Sequence, residues 1–287
     1  MGREENLVVF QDTEHWCNTN QRLKEGIARS VAEQKLILEG DGVEDAFSGK
    51  ALEKNRYQKA AKVIVSKKRS FEAASAYQGK RVCVHNFASA TNPGGGVTKG
   101  SSAQEECLCR CSTLYFCLNT DTLWGGFYGP HRAAQDPIHN DDCIYTPNVM
   151  VIKTDEAVPQ IMQEKNWYEV DVITCAAPNL RERPGNQMNP GDGQTAVTLS
   201  SQEQIILHEK RLRRILDIAV AAGEEVVILG AFGCGAFAND PQAVATAASN
   251  VLADYLHAFE IIEFAIYCSP RDERNYGIFE HVISGKH

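Results

Sequence analysis

Residues 86–114, NFASATNPGGGVTKGSSAQEECLCRCSTL, constrain this chain more than any other stretch. The run that leads into it, RVCVHNFAS, is apolar and bounded by small polar residues, which reads as a buried strand ending near Asn86. Asn92, Pro93 and three successive glycines, Gly94, Gly95 and Gly96, come next. Three glycines in a row remove every Cβ from one side of a loop. The backbone is then free to take positive φ, and a ligand can rest directly on its N–H groups. Ser101-x-x-Gln104 and Ser102-x-x-Glu105 both have capping-box spacing, which predicts a helix over about 102–119. Glu105 and Glu106 fall in its first turn. A strand, a glycine loop and an acidic helix start make a site for an anionic ligand with an acid beside it.

The same grammar recurs further along. EEVVILG, residues 224–230, is a strand that runs straight into a second glycine loop, GAFGCGAFANDP. Asp240 caps and Pro241 opens the helix that follows, to about His257. IYTPNVMVIKTD reads as two strand pieces broken at Pro147. VDVITCAAPNL (170–180) and IIEFAIYCS (261–269) are further buried apolar runs, and a short charged tail closes the chain. Between them lies a strong helix, started by Ser201-x-x-Gln204, with Ile205, Ile206, Leu212, Ile215, Leu216 and Ala219 inward and Gly223 at its end. Its Lys210, Arg211, Arg213 and Arg214 read as a solvated face. Arg181–Ala196 is rich in glycine and proline and is a candidate lid. Strands alternating with helices imply an α/β fold with a mostly parallel sheet covered on both faces. Both glycine loops follow strands, so they face one cleft at the strands' carboxyl ends.

Residues 1–80 lack such units. Leu23, Ile27, Val31, Leu36 and Leu38 suggest a helix stopped by Gly40-Asp41-Gly42, with short helices near Leu52–Lys67 and Ser70–Tyr77. This part reads as a helical extension without chemistry, set before a catalytic domain at 81–287.

Composition narrows the function classes. A net charge of −8 argues against broad nucleic-acid binding, which depends on neutralising phosphates. No apolar run approaches the ~18 residues of a membrane helix, and the polar start MGREENLVVF is not a signal peptide. A soluble, cytoplasmic protein is expected. The 10 cysteines sit mostly in apolar runs and show no framework spacing, so reduced thiols are expected. Cys107, Cys109 and Cys111 do not share one helix face and no C-x-x-C pair exists, so no metal is expected. GxxGxG at Gly230, Gly233 and Gly235 is in the wrong order for a dinucleotide fingerprint, and the expected downstream acid is absent. The loop still suits a diphosphate nest. Phe232 and Phe237 flank it as packing residues or as rings for a sugar or base. His85, inside a strand, reads as a packed core residue. Glu105 has a plain structural reading as a capping residue; Glu106 does not share it, since neighbouring helix positions point about 100° apart, and it reads either as a solvated residue or as a functional acid.

At these residues the sequence resembles the microbial-type poly(ADP-ribose) glycohydrolases, which are macrodomain enzymes. Their signature, a triple glycine followed by Gln-Glu-Glu, stands here as GGGVTKGSSAQEE, Gly94 to Glu106. NFASATNP, VITCAAPN and GAFGCGAFANDP also resemble that family, so the likeness spans roughly Arg81 to the C-terminus. It implies a three-layer α/β/α macrodomain with a mixed, mostly parallel sheet. It implies hydrolysis of ribose–ribose bonds in poly(ADP-ribose), with ADP-ribose as product and no cofactor. Glu106 would then be the catalytic acid, and Glu105 would hold the ribose hydroxyls. Gly233, Cys234, Gly235, Ala236 and Phe237 would embrace the diphosphate and the ribose. Ser89, Asn92, Gly94, Gly95, Gly96, Val97 and Gln104 would complete the substrate site of a monomer. An ADP-ribose reader without turnover, or a hydrolase of single ADP-ribose units on protein or nucleic acid, remain the other readings. The glutamate pair speaks against the reader.

The mechanism this implies carries a tension. A helix N-terminus lowers a carboxylate's pKa, which is wrong for an acid, so Glu106 is expected to be poised only once an anionic diphosphate is bound.

Overall fold

The computed structural model describes residues 1–49, 51–186, 190–269 and 271–284. The expected strands form because short β-branched runs cannot reach helix length before a glycine or proline stops them. Seven strands make one sheet: β1 (Lys35–Ile37), β2 (Lys62–Ser66), β3 (Val82–Ala88), β4 (Cys143–Val151), β5 (Tyr168–Ala176), β6 (Val226–Leu229) and β7 (Ile261–Ala265). Their order is β1-β4-β5-β3-β6-β7-β2. The β5, β3, β6, β7 and β2 neighbours pair in parallel, and the β1–β4 and β4–β5 pairs are antiparallel. The fold is the mixed, mostly parallel three-layer arrangement expected.

Alternation along the strands builds two cores. Cys83, Val227, Leu229, Ile262 and Phe264 pack on one face with Ile215, Leu216, Val244 and Leu252. Val82, Val84, Val226 and Ile228 pack on the other with Phe10, Phe71, Leu108 and Leu114. This alternation sends Asn86 of β3 toward one helical layer and His85 toward the other.

The first 80 residues are more than helices. Arg3–Thr19 and Gln21–Glu33 are helical, the second capped by the Asn20 side chain, which accepts from Leu23 N at 3.2 Å. Yet this segment also supplies β1 and β2, the two edges of the sheet. KVIVS, placed in a helix by spacing, is a strand because it finds β7 as a partner. The run around Pro147 is one strand, not two: a register shift between Thr146 and Val149 absorbs the missing N–H. The helix expected over 102–119 is broken. Gln104–Cys111 ends at Ser112, which bridges to Val151, and Leu114–Leu118 begins a new turn. The closing segment is a helix, Arg274–Ser284, held by buried Phe279 and Ile283. No helix among the described residues is long and apolar enough to cross a membrane.

Candidate active site

A cavity of about 1120 Å³ opens at the carboxyl ends of the parallel strands, and both glycine loops line it. The helix Gln104–Cys111 starts where expected, but neither serine caps it. Glu105 and Gln104 have better partners in the fold. Gln104 Nε2 donates to His85 O at 2.8 Å and to Ser70 Oγ at 3.0 Å, while its Oε1 accepts from Phe87 N at 2.9 Å. Glu105 accepts from Ser89 N at 2.7 Å and from Asn86 Nδ2 at 3.3 Å, and from the Gly94 backbone as well. Both residues thereby stitch the helix start to the end of β3.

Glu106 is held differently. Its Oε1 accepts from Gly96 N at 2.9 Å, and its Oε2 is buried with no hydrogen-bond partner. The N–H groups of the triple glycine are therefore not laid bare for a ligand. Gly94 N serves Glu105, Gly95 N donates to Asn92 O at 3.0 Å, and Gly96 N serves Glu106. Gly94 and Gly95 need their positive φ of 66° and 58° for this work. A Cβ on Gly95 would come within 2.5 Å of Glu106 Oε1. The first glycine loop is a cradle for the protein's own carboxylates.

Burial pushes the Glu105 carboxyl well above its usual range, and Glu106 beside it adds to the push. Burial raises Glu106 as well. The structure thus corrects the expectation that only a bound anion would lift the acid: desolvation outweighs the helix terminus before any ligand arrives. Glu105 is met by three donors, which favours its charge. Glu106 has an unpartnered oxygen, which is where a proton can sit.

The second loop, after β6, is its counterpart. Its N–H groups at Gly235, Ala236 and Phe237 have no acceptor among the described residues. A Cβ on Gly235 would meet nothing within 4 Å. Three consecutive unpaired donors on residues that line a cavity suit an anionic group. Phe237 is half-buried at the rim, with the Arg181 guanidinium 5.7 Å from its ring centre.

Of the residues expected in the site, Ser89, Gly95, Gly96, Gln104, Glu105, Glu106, Gly233, Gly235, Ala236 and Phe237 line the cavity. Four do not. Val97 is core, and Gly94 packs under Tyr115 and Cys109. The Asn92 side chain accepts from Arg132, and the Cys234 thiol turns back to Phe232 O at 3.7 Å. Spacing along a loop does not say which side faces outward. His85 is buried, and its pKa is pushed down to about 3 by desolvation.

The cavity also holds residues that spacing could not reveal. Gly2, Arg3 and Asn6 line it from the first helix, since Asn6 Nδ2 donates to Gly100 O at 3.0 Å and brings that helix against the site. Arg69 lies 3.8 Å over the Tyr267 ring on another wall. Arg181 lines it from the candidate lid, of which Gln187, Met188 and Asn189 lie outside the described residues. The far end of that loop is pinned: Asp192 accepts from Thr91 Oγ1 at 3.1 Å and Asn179 Nδ2 at 2.7 Å. Arg211, read as solvated, is fully buried; it donates to Asp141 at 3.0 Å and to Ala176 O at 2.8 Å.

The fold is macrodomain-like, and its cleft joins a buried carboxylate pair to an open loop of backbone donors. The sequence model of the microbial-type PARG (poly(ADP-ribose) glycohydrolase) catalytic domain matches residues 4–154, and the chain belongs to that family. The match begins within the segment read as an extension, not at Arg81. Poly(ADP-ribose) glycohydrolase from Thermomonospora curvata shares the fold at a TM-score of 0.80, 24% identity, and coverage of 97% of this chain and 99% of that one. The glycohydrolase from Deinococcus radiodurans in complex with ADP-ribose is 29% identical, with a TM-score of 0.73 and coverage of 91% and 98%. No curated protein matches the sequence.

Proposed function

We propose that the chain hydrolyses the ribose–ribose O-glycosidic bonds of poly(ADP-ribose) and releases ADP-ribose, with Glu106 as general acid. The observation that carries this reading is the buried, unpartnered Oε2 of Glu106, a residue that lines the cavity and whose pKa burial raises. A protonated oxygen there can give its proton to the leaving ribose hydroxyl as an oxocarbenium-like centre develops. Glu105, fixed in place by its three donors, faces the sugar hydroxyls. Two adjacent residues of one helical turn do not flank a sugar, so the second anion comes from the substrate. Its diphosphate, gripped by the N–H groups at Gly235–Phe237, lies near the developing cation and leaves room for a water.

Auto-modified polymer incubated with the protein should yield free ADP-ribose. Glu106→Gln should slow that release by ~10²–10⁴-fold, the usual contribution of an acid, while ADP-ribose binding by calorimetry stays within a few-fold. A variant that cleaves at the unsubstituted rate removes Glu106 from the mechanism. If the unsubstituted protein binds ADP-ribose but releases none from polymer, it is a reader.

A further inference from the structure

The long helix Ser201–Ala222 turns Gln204, His208 and Arg211 inward along one face. Its capping box is Ser200 with Glu203, one residue earlier than spacing suggested, and this frees Gln204 for another task. Gln204 Oε1 accepts from Asp240 N at 2.9 Å. One turn on, His208 meets Asn239 at 2.8 Å. Both His208 and Asn239 are 2% exposed.

The Asn239 carboxamide is the hub beneath the second glycine loop. Its Nδ2 donates to Pro178 O at 2.7 Å, Gly233 O at 3.1 Å and Phe237 O at 3.3 Å. Three carbonyls around one end of the amide identify that end as nitrogen, so Oδ1 faces His208 and must accept. His208 therefore carries its proton on Nε2. Burial keeps the ring neutral, with a pKa pushed down to about 4. The Asn239 backbone closes the same loop by donating to Gly233 O at 3.1 Å.

Gly233 is a glycine because of this hub. A Cβ there would lie 2.6 Å from Asn239 Nδ2 and 2.7 Å from Ala177 Cβ, at a φ of +76°. Phe232, at the start of the loop, packs between the rings of His208 at 5.5 Å and His85 at 4.5 Å. The loop thus rests on a rigid floor. The carbonyls of Gly233 and Phe237 are drawn down to Asn239, and the N–H groups of Gly235, Ala236 and Phe237, residues that line the cavity, are left without acceptors.

We propose that His208 and Asn239 are positioning residues: their hydrogen bond orients the amide that shapes the 233–237 loop, and so sets the preference for a diphosphate over a monophosphate ligand. The inference rests on that loop being the diphosphate cradle of the proposed function.

The test compares ADP-ribose with AMP by calorimetry on the full chain. His208→Phe keeps a ring against Phe232 but loses the donor, whereas His208→Gln keeps an N–H. His208→Phe should weaken ADP-ribose binding about tenfold, the scale of one buried hydrogen bond left unmade, and AMP binding far less. His208→Gln should restore most of the ADP-ribose preference, which a merely structural residue would not show. Asn239→Asp, which sets a carboxylate against three carbonyls, should abolish the preference; if that variant fails to fold, the two His208 variants carry the test. Equal losses for both nucleotides in His208→Phe, or none, overturn the inference. An unsubstituted protein with no ADP-ribose preference overturns the cradle itself.

Discussion

The two glycine loops sit at equivalent places in the fold, each after a parallel strand, and do opposite jobs. The loop after β3 turns its N–H groups inward, to Asn92 O and to the carboxylates of Glu105 and Glu106. The loop after β6 turns the carbonyls of Gly233 and Phe237 inward to Asn239 and leaves three N–H groups without acceptors on residues that line the cavity. Protein atoms crowd the missing Cβ at Gly95 in the first, whereas at Gly235 in the second a Cβ would meet only open space. Counting glycines finds both loops; only the partners of their backbones tell the carboxylate cradle from the anion cradle.

If that contrast is right, the largest effect should come from Gly95→Ala. The new methyl would need a left-handed φ, costing ~1–2 kcal/mol, and would collide with Glu106 Oε1 at 2.5 Å. Activity on polymer should fall by at least ~10²-fold, approaching the loss of the acid itself, while ADP-ribose affinity changes much less. A variant that loses binding and keeps turnover would show that the first loop, too, is a ligand cradle.

Gly235→Val should do the reverse. The side chain enters open space, so the melting temperature without ligand should stay close to the unsubstituted value. The rise in melting temperature on adding ADP-ribose should disappear, because the branched side chain occupies the place of the diphosphate. In the unsubstituted protein ADP-ribose should raise the melting temperature well above what AMP achieves. Equal shifts with both nucleotides, or an unchanged shift in Gly235→Val, would remove the anion from this loop.

Much of this was legible in the chain because its signals are local. Apolar runs too short for helices and stopped by glycine or proline marked β3, β5, β6 and β7, and the Gln-Glu-Glu triplet pointed to the carboxylate pair that lines the cavity. What stayed hidden depends on neighbours distant in sequence. Ser102 and Glu105 match a capping box, yet Ser89 N and Asn86 recruit Glu105 first. Arg211 sits in a basic cluster that looks solvated; Asp141 and three carbonyls, unseen in the sequence, draw it inside. KLI and KVIVS are too short to identify as strands without the edges of a sheet to complete. The lift of the Glu106 pKa was misread for the same reason, since the helix terminus is visible in sequence and the depth of burial is not.

The smallest effect is on stability, and its level, not its sign, differs between the two glutamates. Burial raises the folded pKa of Glu106 above its ordinary value of 4.5. Such a group contributes stability that is fully present below the unfolded pKa and is lost as pH rises through the folded one, because the unfolded chain ionises first. Gln at the same place is neutral throughout. The melting temperature of Glu106→Gln relative to the unsubstituted protein should therefore be lowest near pH 4.5 and climb toward pH 8, by about 2–4 °C for each kcal/mol recovered. Burial and the neighbouring Glu106 raise Glu105 further still, so the curve of Glu105→Gln should climb in the same direction. Its side chain also accepts from Ser89 N, Asn86 Nδ2 and Gly94, and an amide cannot accept at both ends, so this variant should lie below Glu106→Gln at every pH. Thermal melts of both variants at several pH values decide the matter. Coincident curves for the two would mean that the first loop grips both carboxylates alike, and the unpartnered oxygen of Glu106 would no longer single it out as the acid.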